Sequence, residues 1–173
     1  MRREILTWND VEKLIDHLIP QFETEFDAMV MITRGGIVPG GMLAEALGVS
    51  SILTAAVDFP AELDKQEKKE RSLMMAWPKF IQFPESELLR RRNILVVDDV
   101  WGSGKTITAV KNRITAADGN PFTCVLHFNP YRNVFGTVKP DFYAAITDAF
   151  IVYPWEVHRG PQPFLLGGDY PST

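Results

Sequence analysis

Cysteine and long apolar runs are scarce in this chain of 173 residues. Cys124 is the single cysteine and lies in the apolar run TCVLHF, so a disulfide framework and a cysteine-rich zinc site are both excluded. We expect Cys124 to be a buried thiol. No stretch approaches the roughly 18 apolar residues of a membrane span, and MRREILTWND at the N-terminus lacks the apolar segment of a secretory signal. These absences predict a cytoplasmic protein with no membrane partner.

The chain also lacks the basic excess that nucleic-acid-binding domains usually carry. Lys and Arg together number 18 against 22 Asp and Glu, which gives a formal net charge of -4. We therefore expect no nucleic-acid partner. A local pocket for one small anion is compatible with this net charge, because net charge does not say where a few side chains cluster. The three histidines, His17, His127 and His158, show no metal-ligand spacing, and we expect core or surface roles for them.

Apolar strands that alternate with helical segments are the main pattern present. Strands are predicted at 28–33, 51–57, 94–100, 122–128 and 142–146, and helices at 10–19, 39–47 and 105–117. Asn9 is the predicted N-cap of the first helix, with Glu12 as its capping-box partner, and Gly48 is expected to end the second helix. The alternation predicts a single α/β domain over residues 1–173, in which a mostly parallel sheet is flanked by helices. In such sheets the ligand lies at the carboxyl ends of the strands.

Two regions depart from this alternation. Residues 58–92 form a connection long enough to be a lid or an insertion, and they include the charge run ELDKQEKKERS at 62–72. A solvated helix face is the simpler interpretation of that charge run. The tail from Val157 is rich in glycine and proline, which disfavours regular structure.

The segment WGSGKT at 101–106 invites comparison with the nucleotide-kinase phosphate loop. That loop requires glycine five residues before Gly104, and this chain has Asp99 there. A nucleotide kinase is therefore excluded. An acidic pair, Asp98 and Asp99, instead ends a buried strand directly before a glycine turn and a helix N-terminus.

This arrangement can bind two different parts of one ligand. Carboxylates accept hydrogen bonds from vicinal sugar hydroxyls, whereas the amides of 102–106, two hydroxyl side chains and the helix dipole favour a phosphate. A ribose 5-phosphate satisfies both halves, while a merely capped helix would not explain two adjacent acids.

The segment ILVVDDVWGSGKT resembles the phosphoribosyl-pyrophosphate signature of type I phosphoribosyltransferases, and ITRGGIVPGG at 32–41 is similar to the pyrophosphate loop of that family. The resemblance implies that Asp98 and Asp99 hold the ribose hydroxyls, and that with Arg34 they form the catalytic group. It implies a phosphate cradle of Trp101, Gly102, Ser103, Gly104, Lys105 and Thr106, and a pyrophosphate loop of Thr33, Arg34, Gly35 and Gly36. It also implies Mg²⁺, with Asp98 and Asp99 acting on the metal indirectly through ribose hydroxyls or water, and a homodimer or higher homo-oligomer.

A third segment, FIVYPWE at 150–156, resembles the purine-binding end of the xanthine-guanine and archaeal-type enzymes. The resemblance implies phosphoribosyl pyrophosphate and a purine base as substrates, with a 6-oxopurine favoured, and makes 148–173 the base-binding end and tail. The base contacts that it implies are Phe150 as the stacking ring, Ile151, Trp155, Glu156 and, from HFNPYR, Asn129.

Two positions depart from those relatives. Gly102 stands where an aspartate often serves as a candidate acid–base group, and Asn129 stands where a lysine contacts the purine 6-oxo group. General acid–base catalysis contributes roughly 10² to 10⁴ in rate, so its loss should slow transfer rather than abolish it. The same two departures favour the alternative function, a non-catalytic sensor or regulator that binds phosphoribosyl pyrophosphate or a nucleotide.

Overall fold

The computed structural model describes residues 2–59 and 78–157. The strands are β1 (Arg3–Ile5), β2 (Ala28–Ile32), β3 (Ile52–Asp58), β4 (Lys79–Gln82), β5 (Asn93–Trp101), β6 (Asn120–Phe128), β7 (Phe142–Ile146) and β8 (Phe150–Val152). The helices are α1 (Trp8–Leu18), α2 (Ile37–Leu47) and α3 (Lys105–Ala116), and short 3₁₀ turns cover Ile19–Gln21 and Ser86–Leu88. None of the helices in the described ranges is long and apolar enough to cross a membrane.

Six strands form the main sheet in the order β4-β3-β2-β5-β6-β7. Every neighbouring pair is parallel except β3 with β4, so the predicted mostly parallel α/β sheet is confirmed. Side chains alternate between two cores, as the period of two in a strand requires. Met29 and Met31 pack with α1 and α2 on one face, whereas Val30 and Ile32 pack with α3 on the other. Because both faces are covered, the strand sequences are continuous apolar runs.

Helix α1 begins earlier than predicted. Thr7 is the N-cap: its Oγ1 accepts from the backbone N–H of Asp10 at 3.2 Å, and Asp10 Oδ2 accepts from the backbone N–H of Thr7 at 2.9 Å. The Thr7 hydroxyl also donates to Asp10 Oδ2 at 2.6 Å, and this bond, followed by the one from the Thr7 backbone N–H, holds the pKa of Asp10 below its ordinary value. The prediction of Asn9 and Glu12 was wrong, because the extended backbone at Thr7 places the capping box two residues upstream. The predicted end of α2 is confirmed, since Gly48 has φ of 67° and caps the helix.

A second, two-stranded sheet pairs β1 with β8 in parallel, with Arg3 opposite Phe150 and Ile5 opposite Val152. The sequence pattern gave no sign of β1, which has three exposed residues and no apolar alternation. Leu6 N–H donates to the carbonyl of Val152 at 3.0 Å, and Phe150 N–H donates to that of Arg2 at 2.8 Å. The segment that contains FIVYPWE is therefore fixed from outside the main sheet.

The end of the long connection packs against α3. Strand β4 runs antiparallel to β3, and the Arg113 guanidinium carbon lies 4.3 Å from the Phe80 ring centroid and 4.5 Å from that of Phe83. Such cation–π contacts anchor the returning chain to the helix. The charge run at 62–72, on which the lid prediction depended, lies outside the described residues, as does His158.

Candidate active site

Two of the predicted segments meet at the carboxyl ends of β2 and β5, which are neighbours in the sheet. A Cβ added to Gly35 would overlap the Asp99 carboxylate, at 2.6 Å from Oδ2. A Cβ on Gly36 would overlap the carbonyl oxygen of Val97 and lie 2.9 Å from the backbone nitrogen of Ile32. Both positions need glycine because the loop lies directly against β5. The structure thus brings the Arg34-Gly35-Gly36 turn to the acidic pair, with Arg34 exposed and the Thr33–Arg34 peptide bond cis.

The two acids are partly buried. Asp98 Oδ1 accepts from the backbone N–H of Asp99 at 3.0 Å. Burial raises the pKa of Asp98 well above its ordinary value, and the neighbouring Asp99 charge raises it further. Burial also raises the pKa of Asp99 to about 6, with the Glu156 carboxylate as the second cause. Asp99 therefore gains its charge only near neutral pH.

The loop after β5 leads directly into α3. Gly104 takes the left-handed conformation, with φ of 79°, and α3 begins at Lys105. The loop is fixed from two sides: Ser103 Oγ accepts from Lys105 N–H at 3.4 Å, and the Ser103 carbonyl accepts from Val134 N–H at 3.2 Å. Gly102, Ser103, Lys105 and Thr106 remain partly exposed. A glycine turn before a helix N-terminus suits an anion.

Trp101 lies beneath this loop. Its side chain is 1% exposed, its indole N–H donates to Asn133 Oδ1 at 3.2 Å, and Gly104 packs against the indole ring. The Trp101 side chain therefore supports the loop from the core, and only its backbone is left for the phosphate contact that the resemblance implies.

The segment 150–156 also approaches the acidic pair. The Tyr153 hydroxyl donates to the backbone carbonyl of Asp99 at 2.9 Å, and the Tyr153 ring stacks on Trp155 with centroids 4.5 Å apart and planes 7° apart. Glu156 Oε2 accepts from Tyr153 N–H at 2.9 Å. Phe150 is 38% exposed and has the Arg3 guanidinium over its ring at 5.7 Å, whereas Ile151 is buried. This segment thus offers the exposed Phe150 ring, the partly exposed Trp155, the exposed Glu156 and backbone groups.

Asn129 follows β6 and is only 2% exposed. Its Oδ1 accepts from the backbone N–H groups of Tyr131 and Arg132, at 3.1 and 3.2 Å, so the oxygen is committed to the local turn. A base contact by Asn129, which the sequence predicts, can therefore use only the amide nitrogen.

Tyr153 and His127 are part of this arrangement, although neither of them was assigned to the site from the sequence. His127 is 5% exposed, so of the core or surface role expected for it the structure shows the core one, and burial lowers its pKa to about 4. No rule of residue spacing predicts the contact between His127 in β6 and Tyr153 in a later turn. The only sequence signal is that FIVYPWE contains a tyrosine, whose hydroxyl can form a hydrogen bond. Cys124 is buried as expected.

The Glu156→Gln variant should lower the pKa of Asp99 from about 6, because it removes the second cause of the rise. Glutamine keeps an oxygen that can accept from Tyr153 N–H, so the turn is retained. The measurement is a carbon NMR titration of the aspartate carboxyls in the free protein, where no substrate phosphate titrates. Glu87→Gln, a charge change on the exposed turn before β5, is the matched control. A midpoint for Asp99 that is the same in all three proteins would show that Glu156 does not face it.

The chain is similar to known proteins in sequence and in fold. Residues 2–158 match the family model described as phosphoribosyl transferase domain. The chain is 30% identical over 134 residues to xanthine-guanine phosphoribosyltransferase of Cereibacter sphaeroides, covering 75% of this chain and 69% of that protein. A purine phosphoribosyltransferase structure from Pyrococcus horikoshii superposes with a TM-score of 0.76 at 26% identity, covering 90% of this chain and 95% of that one. The Helicobacter pylori xanthine-guanine-hypoxanthine phosphoribosyltransferase, at 18% identity with a TM-score of 0.70 and the same coverage, shares the fold.

Proposed function

The chain belongs to the phosphoribosyltransferase family, and from this premise we propose that it transfers ribose 5-phosphate from phosphoribosyl pyrophosphate to a 6-oxopurine. The family and the xanthine-guanine relative place it among the purine phosphoribosyltransferases. The observation that carries the proposal is the convergence of three segments on Asp99: Gly35 lies against its carboxylate, Tyr153 bonds its carbonyl, and the phosphate loop follows it.

In the proposed reaction a base nitrogen forms a bond to C1 of the ribose. The bond from C1 to the pyrophosphate oxygen breaks, the electron pair leaves with pyrophosphate, and the base nitrogen loses its proton to water. Asp98 and Asp99 orient the sugar through its hydroxyls, the amides of 102–106 hold the 5-phosphate, and Arg34 with Gly35 and Gly36 faces the diphosphate. Such a site works by positioning and by charge stabilisation of the transition state.

Mg²⁺ fits the donors present. Carboxylate oxygens are the ligands that Mg²⁺ prefers, and it commonly binds through one or two carboxylates together with substrate phosphates and water. Within residues 2–59 and 78–157, no group of three or more His, Cys, Asp or Glu side chains is placed to hold a metal ion. We therefore propose that the ion is held jointly with the diphosphate, near Asp98 and Asp99, where it would neutralise the charge of the leaving group.

The test is pyrophosphate release from phosphoribosyl pyrophosphate and Mg²⁺ with guanine, xanthine, hypoxanthine or adenine. Release that depends on a 6-oxopurine supports the proposal. Calorimetric binding of phosphoribosyl pyrophosphate without release, for every base, would instead favour the sensor that Gly102 and Asn129 suggest.

A cytoplasmic location and a homo-oligomeric state belong to the same proposal. Three exposed apolar residues on or before the edge strand β7 support the homo-oligomer: Val134, Val138 and Ile146. Sedimentation would test the oligomeric state.

Position 129 should affect which base is preferred. Asn129→Asp keeps the acceptor for the turn but replaces the amide donor by an acceptor, so we expect the ratio of kcat/KM for guanine over adenine to fall about tenfold. Asn129→Lys, which the resemblance suggests, would remove the acceptor that Tyr131 and Arg132 use.

Phe150→Ala is the contrasting variant, because stacking contributes about 1–3 kcal/mol and tolerates any base. It should weaken all accepted purines alike. A ratio that stays constant in Asn129→Asp would mean that the amide nitrogen does not reach the base.

A further inference from the structure

Tyr153 lies in the middle of a buried hydrogen-bond chain. Its hydroxyl is 2.8 Å from Nδ1 of His127 and 2.9 Å from the backbone carbonyl oxygen of Asp99. The side chains of Tyr153 and His127 are 1% and 5% exposed. The chain therefore joins three elements in the protein interior: the end of β5, the end of β6 and the segment 150–156.

The direction of each hydrogen bond follows from the donors. A carbonyl oxygen can only accept, so the single hydroxyl proton of Tyr153 points to Asp99. The hydroxyl oxygen then accepts from His127, which must carry its proton on Nδ1. Because burial lowers the pKa of His127 to about 4, the ring is neutral at ordinary pH and this tautomer is fixed by its partner.

Tyr153 also organises the segment to which it belongs. Its ring stacks on Trp155, and its backbone N–H donates to Glu156. Tyr153 thus contacts the side chains of Trp155 and Glu156 and, through its hydroxyl, the peptide group of Asp99. The hydroxyl is therefore a direct link between Asp99 and the segment 150–156.

We propose that Tyr153 is a positioning residue: its hydroxyl, oriented by His127, holds the Asp99 peptide so that the carboxylate meets the ribose hydroxyls at a set distance from the purine. This inference rests on the proposed function and adds a residue to its site. A displacement of about 1 Å in such a group can cost far more rate than the lost hydrogen bond alone.

The test is Tyr153→Phe, which keeps the ring and its stacking on Trp155 but removes both hydroxyl contacts. We expect kcat/KM for phosphoribosyl pyrophosphate to fall about tenfold, equivalent to about 1.4 kcal/mol, while the KM for the purine changes less than twofold. Tyr143→Phe is the matched control, since Tyr143 is a partly buried tyrosine of β7 whose hydroxyl has no hydrogen bond in the described part of the chain. It should leave both parameters unchanged.

Nitrogen NMR of the His127 ring supplies a readout that a loss of stability would not produce. The Nδ1–H tautomer is expected in the unsubstituted protein, and Tyr153→Phe should release the ring to the Nε2–H form. Two results overturn the inference: an Nε2–H tautomer in the unsubstituted protein, or a switched tautomer with kcat/KM within twofold of the original.

Two further experiments test the inference if the variant does not fold or if the proposed function is wrong. If Tyr153→Phe does not fold, His127→Asn, which retains a donor near Nδ1, should keep more activity than His127→Leu; equal values overturn the inference. If the unsubstituted protein releases no pyrophosphate with any base, the proposed function fails. Calorimetric affinity for phosphoribosyl pyrophosphate with Mg²⁺ then decides the inference: a tenfold loss in Tyr153→Phe supports it, and an unchanged affinity overturns it.

Discussion

The double variant Asp98→Asn, Asp99→Asn should lose about 10² to 10⁴ in kcat/KM for phosphoribosyl pyrophosphate. A hydrogen bond to a charged group contributes about 1.5–3 kcal/mol, and the two carboxylates are expected to accept one or more each from the ribose. Both acids lie at the end of β5, where Gly35 closes over Asp99. Steady-state kinetics would measure this loss, calorimetry with phosphoribosyl pyrophosphate and Mg²⁺ would measure the accompanying loss of affinity, and an unchanged affinity would contradict the site assignment.

Above neutral pH, the free energy of unfolding of the same double variant should exceed that of the original protein, while its kcat/KM falls. A loss of activity could then not be attributed to unfolding of the variant. The pKa of Asp99 is raised to about 6 from 3.8, so the folded state holds a proton that the unfolded state has released between these values. The free energy of unfolding of the original protein therefore falls as pH rises through this window. Neutral amides remove that dependence, so we expect the double variant to unfold at a higher urea concentration than the original protein at pH 8, but not at pH 3.

Gly36→Ala should lower both the free energy of unfolding and the transfer activity. The added methyl group would overlap the backbone of Val97 and Ile32, and neither backbone group can move without disturbing β5 or β2. We expect a loss of about 1–3 kcal/mol in the free energy of unfolding, measured with urea, together with loss of transfer activity as the pyrophosphate loop is displaced.

Gly41→Ala provides the internal control for that measurement. Gly41 lies in α2, five residues later, and a Cβ there would meet nothing within 4 Å. Alanine should therefore stabilise the helix by about 0.5–1 kcal/mol. If both variants lower stability equally, the close approach of the loop to β5 is not the cause.

Five of the six strands of the main sheet were predictable from their apolar runs, such as ILVV of β5, whereas the mostly exposed β4 within the long connection was not. The start of α1 was not, since Thr7 and Asn9 are both good N-caps and only the backbone conformation at Thr7 decides between them. Strand β1 escaped prediction for a different reason. It is short and exposed, and it is a strand only because Phe150–Val152 lies beside it.

In the candidate site, too, the features that depend on distant residues could not be predicted from the sequence. The acids and the glycine turns can be read from the sequence, because each segment has its own local chemistry. The position of Trp101 beneath the loop depends on Asn133, and the commitment of the Asn129 oxygen depends on the turn that follows it. The bond between Tyr153 and Asp99 joins residues far apart in sequence, so no local pattern predicts it.

The pairing of Arg3–Ile5 with Phe150–Val152 also bears on the order in which the chain folds. Contacts between residues distant in sequence form late, because the entropy of closing the intervening loop must be overcome first. The six-stranded sheet contains none of these six residues and can form before them. We therefore expect the sheet that carries Asp98 and Asp99 to form before the pairing that fixes the segment 150–156.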